Sequence, residues 1–260
     1  MADRVVLVTG STDGIGRHIA RQLAAGGMRV LVHGRSKPKV DAALEALRGE
    51  LPGAELDGVS FDLGRLSDVR RGVEQIGKLG APQVLVNNAG IFATERAVTS
   101  DGLEMTFAVN HVGPFLLTEL LASGLDRVVN VSSVAHTRGR IHFDDLTMAN
   151  GWTGYAAYAQ SKLANVMHAM ELQHHHAGIT AYSIHPGTVA TKLLRAGFGP
   201  ITGLKPEAAA PPIARLAAGD ASEPTGTYFS DGVATPPASA ARDDAARDRL
   251  WDVSRQLAKI

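Results

Sequence analysis

The chain contains no cysteine, which excludes disulfides, zinc thiolate sites and a thiol nucleophile. It carries no net charge either, since 26 Lys and Arg balance 26 Asp and Glu. A balanced surface argues against nucleic acid or an anionic membrane as main partner. No apolar run approaches the roughly 18 residues of a spanning helix. The chain enters a strand-like run, Val5–Val8, almost at once, so no signal peptide or membrane anchor is expected. No linker rich in Pro, Gly or Ser precedes residue 186, and there is no internal repeat. No G-x-S-x-G hydrolase elbow occurs. His111 and His185 stand alone without metal spacing, and His174, His175 and His176 point in different directions on a helix. No metal site is expected. The sequon Asn130-Val131-Ser132 falls in an expected buried strand. The absences fit a cytoplasmic protein with a small-molecule partner.

What is present is an alternating pattern. Hydrophobic residues make up 45% of the 260, ample for a globular core. Short β-branched runs at Val5–Val8, Arg29–Val32, Leu56–Phe61, Val84–Asn87, Val128–Ser132 and Thr180–Ile184 read as strands, with a shorter one at Thr227–Phe229. Helical patterns lie between them at Gly14–Ala25, Lys39–Arg48, Leu66–Lys78, Leu103–Leu121 and Ala156–His176. Buried strands alternating with helices predict an α/β fold, a parallel sheet covered on both faces. Residues 1–260 are expected to form one domain. His136–Gly154 reads as a long polar loop. Gly187–Pro206, with Thr188, Thr191, Gly197, Gly199, Pro200 and Gly203 around Leu193, Leu194, Phe198 and Ile201, reads either as a substrate lid or as an ordinary surface loop. The tail at about 240–260 is helical, with Leu250, Val253 and Leu257 on one packing face.

The first strand runs into Thr9-Gly10-Ser11-Thr12-Asp13-Gly14-Ile15-Gly16, which opens the first helix. Glycines there permit a tight turn and close approach of backbone to a pyrophosphate at a helix N-terminus. The spacing is G-x-x-x-G-x-G rather than G-x-G-x-x-G. After the second strand no acidic residue is available for the ribose hydroxyls of NAD, and Arg35 suits a 2′-phosphate. That points to NADP(H) over NAD(H). Asp62 follows the third strand, where an adenine edge would lie. Asn87-Asn88-Ala89-Gly90 ends the fourth strand and suits close cofactor approach, or merely a satisfied turn. Asn110 lies inside an apolar helical run. Pro114, four residues on, cannot donate to its carbonyl, so a kink and a freed carbonyl able to hold a water are expected. Ser132-Ser133 ends the fifth strand, where a hydroxyl can meet a substrate carbonyl.

Tyr158-Ala-Gln-Ser-Lys162 places a phenol and an ammonium one helical turn apart. A free phenol, with a pKa near 10, is a poor acid–base group at neutral pH. A nearby ammonium lowers it. Bringing it to about 7 takes roughly 4 kcal/mol. One lysine does not supply that, so a second positive charge, such as an oxidised nicotinamide ring, is expected.

Taken in order, Thr9–Gly16, Asn87–Gly90, Asn110, Ser133, Tyr158, Lys162 and Pro186-Gly187 resemble the motif series of the short-chain dehydrogenase/reductase superfamily. Val131–His136, Ser161–Asn165, His185–Val189, Gly226–Asp231 and Arg249–Val253 are similar to its retinol dehydrogenase and WW-domain oxidoreductase branch. The chain departs from retinol dehydrogenases in showing no N-terminal membrane segment, which counts against a retinoid. The resemblance implies a Rossmann-like doubly wound sheet of order 3-2-1-4-5-6-7. It implies hydride transfer between a nicotinamide and a carbonyl or alcohol carbon, the lid favouring a lipophilic one. Tyr158 would give the proton, Lys162 would lower its pKa and hold the ribose, Ser133 would orient the carbonyl, and Asn110 would anchor a relay water. The implied cofactor residues are Gly10, Ser11, Thr12, Asp13, Gly14, Ile15, Gly16, Arg35, Asp62, Leu63, Asn88, Ala89, Gly90, Tyr158, Lys162, Pro186, Gly187, Val189 and Thr191. Ser133, Tyr158, Leu193, Leu194 and Phe198 would face the substrate. A homodimer or homotetramer is left open. A non-catalytic NADP-binding sensor on the same fold would usually lose Tyr158 or Lys162. An extended-type epimerase would need a larger C-terminal domain and a T-G-x-x-G-x-x-G turn.

Overall fold

Strand residues alternate between two apolar layers, and this alternation fixes the architecture. In β1 (Val5–Val8), Val6 and Val8 face one core while Leu7 faces the other. The same division separates Val30 and Val32 from Leu31 in β2 (Arg29–Gly34), and Val84 and Val86 from Leu85 in β4 (Val84–Asn87). A strand apolar on both faces needs cover on both, which parallel crossovers supply. The computed structural model describes residues 4–199 and 202–260. Its sheet adds β3 (Leu56–Ser60), β5 (Arg127–Val131), β6 (Thr180–His185), β7 (Tyr228–Ser230) and β8 (Val233–Ala234), in order 3-2-1-4-5-6-7-8. Strands β1 to β7 pair in parallel, and β8 turns back antiparallel on β7. The Rossmann-like order expected from the sequence is thus extended by one short edge strand.

One face is covered by α1 (Gly14–Ala25), α2 (Lys37–Glu50) and α8 (Pro206–Ala218), which insert Ile19, Leu23, Leu44, Leu47 and Ile213. The other is covered by α3 (Leu66–Leu79), α5 (Gly113–Leu121) and α6 (Gly154–His175), with Val69, Ile76, Phe115 and Met167. On α5 and α6 lies α9 (Asp244–Ala258), held by a buried Arg247–Glu171 pair and by Trp251 in a nest of Phe115, His168 and His175 rings.

The expected helix Leu103–Leu121 is divided. A short α4 (Met105–Phe107) leads into a π-helical turn, Ala108–Val112, and then into α5. The cause is Pro114. It cannot donate to the carbonyl of Asn110. The i→i+5 bond from Gly113 N to Ala108 O shifts the ladder and puts the proline in the first turn of a new helix, where it is tolerated. The segment 187–206 is also more ordered than a loop, since α7 (Lys192–Phe198) occupies its centre. Pro200 and Ile201, placed in the same segment by the sequence, lie outside the described residues. Among the described residues no helix is long and apolar enough to cross a membrane.

Candidate active site

The carboxyl ends of β1, β4, β5 and β6 meet at one edge, and the glycine-rich turn is built into it. Gly10 and Gly14 adopt φ of +63° and +56°, a region that penalises side chains. A Cβ on Gly16 would lie 2.3 Å from Gly10 O and 2.4 Å from Asn88 Nδ2. Thr9 Oγ1 donates to Val86 O (3.2 Å) and accepts from the N–H groups of Asn88 (2.9 Å) and Ala89 (3.0 Å). Asn88 Nδ2 returns to the carbonyls of Thr9 (2.8 Å) and Gly10 (3.2 Å). His33 supports the turn from the opposite side. Its Nδ1 accepts from Gly10 N (3.1 Å), so Nε2 carries the hydrogen and donates to Phe61 O (3.1 Å). Burial holds its pKa down at about 4, so the ring is neutral. Ser11 is part of this frame. It is fully buried, its Oγ donates to Val8 O (2.7 Å) and accepts from His33 N (2.9 Å), and its own N–H bonds His33 O (2.9 Å). Its side chain thus braces the turn. Ile15 packs on the core beneath, and Thr12 Cγ2 would lie 2.6 Å from a Cβ on Gly34.

Asp13 caps α1, accepting from Gly14 N (2.8 Å), and pairs with Lys192 at the start of α7. Lys192 holds its carboxyl below the usual range and offsets a negative charge at a helix N-terminus suited to anions. Arg35 stands exposed just beyond β2, without an ion pair among the described residues. Asp62 uses Oδ1 on Gly64 N (2.8 Å). The Leu63 side chain is buried in the core, so only its backbone can face a ligand.

Tyr158 and Lys162 both lie on the buried face of α6, whose N-cap Thr153 accepts from Ala156 N. The Lys162 ammonium donates to Val131 O at 2.9 Å and sits 5.5 Å from the Tyr158 ring centroid. Burial brings Lys162 down to about 8 and pushes Tyr158 up to about 12, while the Ser133 hydroxyl draws the phenol the other way. Among the chain's own groups desolvation is the largest effect on the phenol, and Lys162 gives one of its three hydrogens to the β5 carbonyl. Ser133 is half-buried beside the phenol, whereas Ser132 is buried and donates to Lys162 O (2.8 Å). Asn110 clamps Ile91, accepting from its N–H (2.8 Å) and donating to its carbonyl (3.0 Å), with a further bond to Ser161 Oγ (3.0 Å). A Cβ on Gly90 would lie 3.4 Å from both Asn110 Oδ1 and Lys162 Nζ.

Above these groups, Pro186, Gly187 and Val189 lead to Thr191, the N-cap of α7. Gly14 faces Thr191 across the cleft, with Cγ2 lying 3.9 Å from a Cβ built there. A bridge from Val189 to Leu204 closes the base of the segment. Leu193 packs near Tyr158, Leu194 is half-buried, and Phe198 is 36% exposed. Phe92 was not foreseen. Its ring lies 5.4 Å from Tyr158 and 5.5 Å from Phe198, in a space that Gly154 and Gly197 leave open. An apolar residue two places after Gly90 is the only sequence signal for it.

A short chain dehydrogenase family model matches residues 4–198. The chain belongs to the short-chain dehydrogenase family. Human retinol dehydrogenase 13 is 36% identical over 98% of this chain and 84% of that protein. A Mycobacterium paratuberculosis crystal structure superimposes with TM-score 0.85 at 33% identity, covering 98% of this chain and 93% of its own. A blue fluorescent protein from a metagenomic library, solved with NADPH, gives 0.70 at 29% identity over 87% of this chain and 95% of its own. As a short-chain dehydrogenase the chain is an NAD(P)-dependent oxidoreductase acting on CH–OH groups. Its glycine turn, with no side chain at Gly10 or Gly14 and both in the left-handed region at the N-terminus of α1, fits the pyrophosphate of a dinucleotide.

Proposed function

We propose that this chain interconverts an apolar aldehyde or ketone and its alcohol with NADP(H). The observation that carries the reading is the Tyr158 phenol, buried between Ser133, Lys162 and Phe92 at the carboxyl edge of the sheet. NADP(H), when bound, supplies or accepts the hydride. In reduction, Tyr158 Oη donates a proton to the developing alkoxide while Ser133 Oγ holds the oxygen. Lys162 and the positive charge of the oxidised cofactor are what favour the phenolate against burial. The side chain of Asn110 holds the loop after β4 against α6, leaving its main-chain carbonyl to anchor a water. Thr191, Val189 and Gly187 border the carboxamide end, and Gly10 to Gly16 the pyrophosphate. The residue-by-residue cofactor assignment otherwise stands as set out from the sequence, with Ser11 and Leu63 limited as described.

In this reading residues 1–260 form one NAD(P)-binding domain and 187–206 are the lid over the substrate, with Leu193, Leu194 and Phe198 as its apolar lining. A cytoplasmic location is part of the same proposal, supported by the absence of cysteine. NADP(H) is favoured because Arg35 is exposed and unpaired among the described residues, and because the blue fluorescent protein was solved with NADPH. Tyr158→Phe tests the chemistry. It should lower kcat by about a thousandfold and leave the NADPH Kd within about twofold. A panel of aldehydes and ketones followed by NADPH absorbance provides the substrate, and most of the wild-type kcat in the variant would refute the assignment. Arg35→Ala should weaken NADPH by about tenfold while changing NADH little; equal wild-type affinities for the two would remove the preference.

A further inference from the structure

His136 touches no expected ligand, yet it is 1% exposed and every polar atom of its ring is engaged. Its backbone N–H and its Nδ1 both reach the carbonyl of Ser133, at 3.0 and 2.8 Å. Nε2 accepts from the backbone N–H of Ala238 at 3.1 Å. The two bonds fix one tautomer, with hydrogen on Nδ1 and a lone pair on Nε2. The Tyr228 ring packs against it at 4.6 Å. Ala238 lies just before the tail, which is secured further on by Arg247, bonded to Ala241 O (3.2 Å) and to Glu171 on α6 (3.0 Å). The imidazole therefore joins the turn that presents Ser133 to a segment that also grips the Tyr158 helix. Ser132 fixes the strand end just before it, and the Ser133 Oγ accepts a 3.2 Å bond from Ala135 N within its own turn while reaching the Tyr158 phenol.

We propose that His136 is a positioning residue for the reaction, holding the Ser133 hydroxyl in register with Tyr158 by clamping the Ser133 carbonyl and anchoring that clamp to Ala238. The inference rests on the role given to Ser133 above. A positioned hydroxyl matters at the transition state more than in cofactor binding, so kcat should fall without a change in NADPH affinity.

Asparagine and glutamine separate the two ends of the ring. Asparagine at 136 places an amide N–H near the position of Nδ1 and keeps the bond to Ser133 O. Glutamine reaches toward Nε2 and keeps the bond to Ala238. The test measures kcat, KM, NADPH Kd and Tm for His136→Asn, His136→Gln and His136→Ala. We expect kcat to fall by about tenfold or more in H136Q and H136A and by less than about threefold in H136N, with unchanged NADPH Kd in all three. If all three lower Tm and leave kcat alone, or if H136N loses as much kcat as H136Q, the proposal is overturned. Ala238→Pro probes the anchor without touching the buried ring. Its φ of −49° and ψ of 147° admit proline, and only the N–H to Nε2 is removed. We expect kcat to drop about threefold there; an unchanged kcat would overturn the anchoring role. Tyr158→Phe separates the levels: an active Y158F refutes the site itself, whereas an inactive Y158F beside normal His136 variants refutes only this inference.

Discussion

On the cofactor side of the cleft, the glycine-rich turn is tied to β2 by His33 and Ser11 and to β4 by Thr9 and Asn88. On the opposite side, the segment 187–206 closes on itself through the Val189–Leu204 bridge and meets the body through the exposed Lys192–Asp13 pair and partly exposed aromatic rings. The first wall is continuous with the core and leaves no space for an added atom at Gly10 or Gly16. The second gives up little buried area if it shifts. In the proposed reading, cofactor recognition is thus built into the fold, while substrate recognition falls to a segment tied to it by few contacts.

Gly16→Ala attacks the tight wall and should have the largest effect. The new methyl meets a backbone carbonyl and the Asn88 amide, neither of which can withdraw. NADPH affinity should fall by about a hundredfold and thermal stability with it. An NADPH titration beside a thermal scan checks this; a fully functional variant would show that the turn is looser than its packing. Leu194→Ser with Phe198→Ser attacks the loose wall. KM for long apolar aldehydes should rise by about tenfold, and for short ones hardly at all, with Tm and cofactor affinity nearly unchanged. A Tm loss comparable with that of Gly16→Ala would erase the contrast between the walls.

Lys162 lies where the two walls meet and gives the smallest expected effect. Its folded pKa, about 8, is below the ordinary 10.5, so burial opposes the charged form. Below pH 8 the lysine is charged in both states and the folded state bears the full penalty. As pH rises from 8 toward 10.5 the folded state has shed its proton and the penalty fades. Lys162→Met should therefore stabilise the fold by roughly 1 kcal/mol at pH 7, and the gain should vanish by about pH 10.5. Unfolding midpoints against pH decide it; a variant less stable than wild type at pH 7 would show that the bond to Val131 O outweighs burial.

The strands and most helices were legible because continuous apolar runs and period-3.6 patterns report burial directly. Val6, Leu7 and Val8 are apolar whichever layer each one faces. The helix at Pro206–Ala218 was not legible. Pro206, Pro211 and Pro212 read as breakers, yet Ala209, Ala210, Ile213 and Leu216 bury enough against α1 to override them. The catalytic motifs were legible because their chemistry constrains spacing along the chain. The braces were not: His33 reaches Gly10 and Phe61, His136 reaches Ala238, and Phe92 reaches Tyr158 and Phe198, all at least 23 residues away, and no local pattern marks such a contact. The burial of Tyr158 was not legible either, since adjacency to Lys162 is visible in sequence and desolvation is not.

The two-residue strand β8 also governs how molecules meet. Its reversal on β7 replaces what would be an open parallel edge with a short antiparallel one, and Pro236 and Pro237 follow after Thr235. Proline has no N–H to offer an incoming strand, and two residues are too few to template one. Two strand residues and, one residue on, two prolines leave this margin of the sheet little backbone with which an incoming edge could pair.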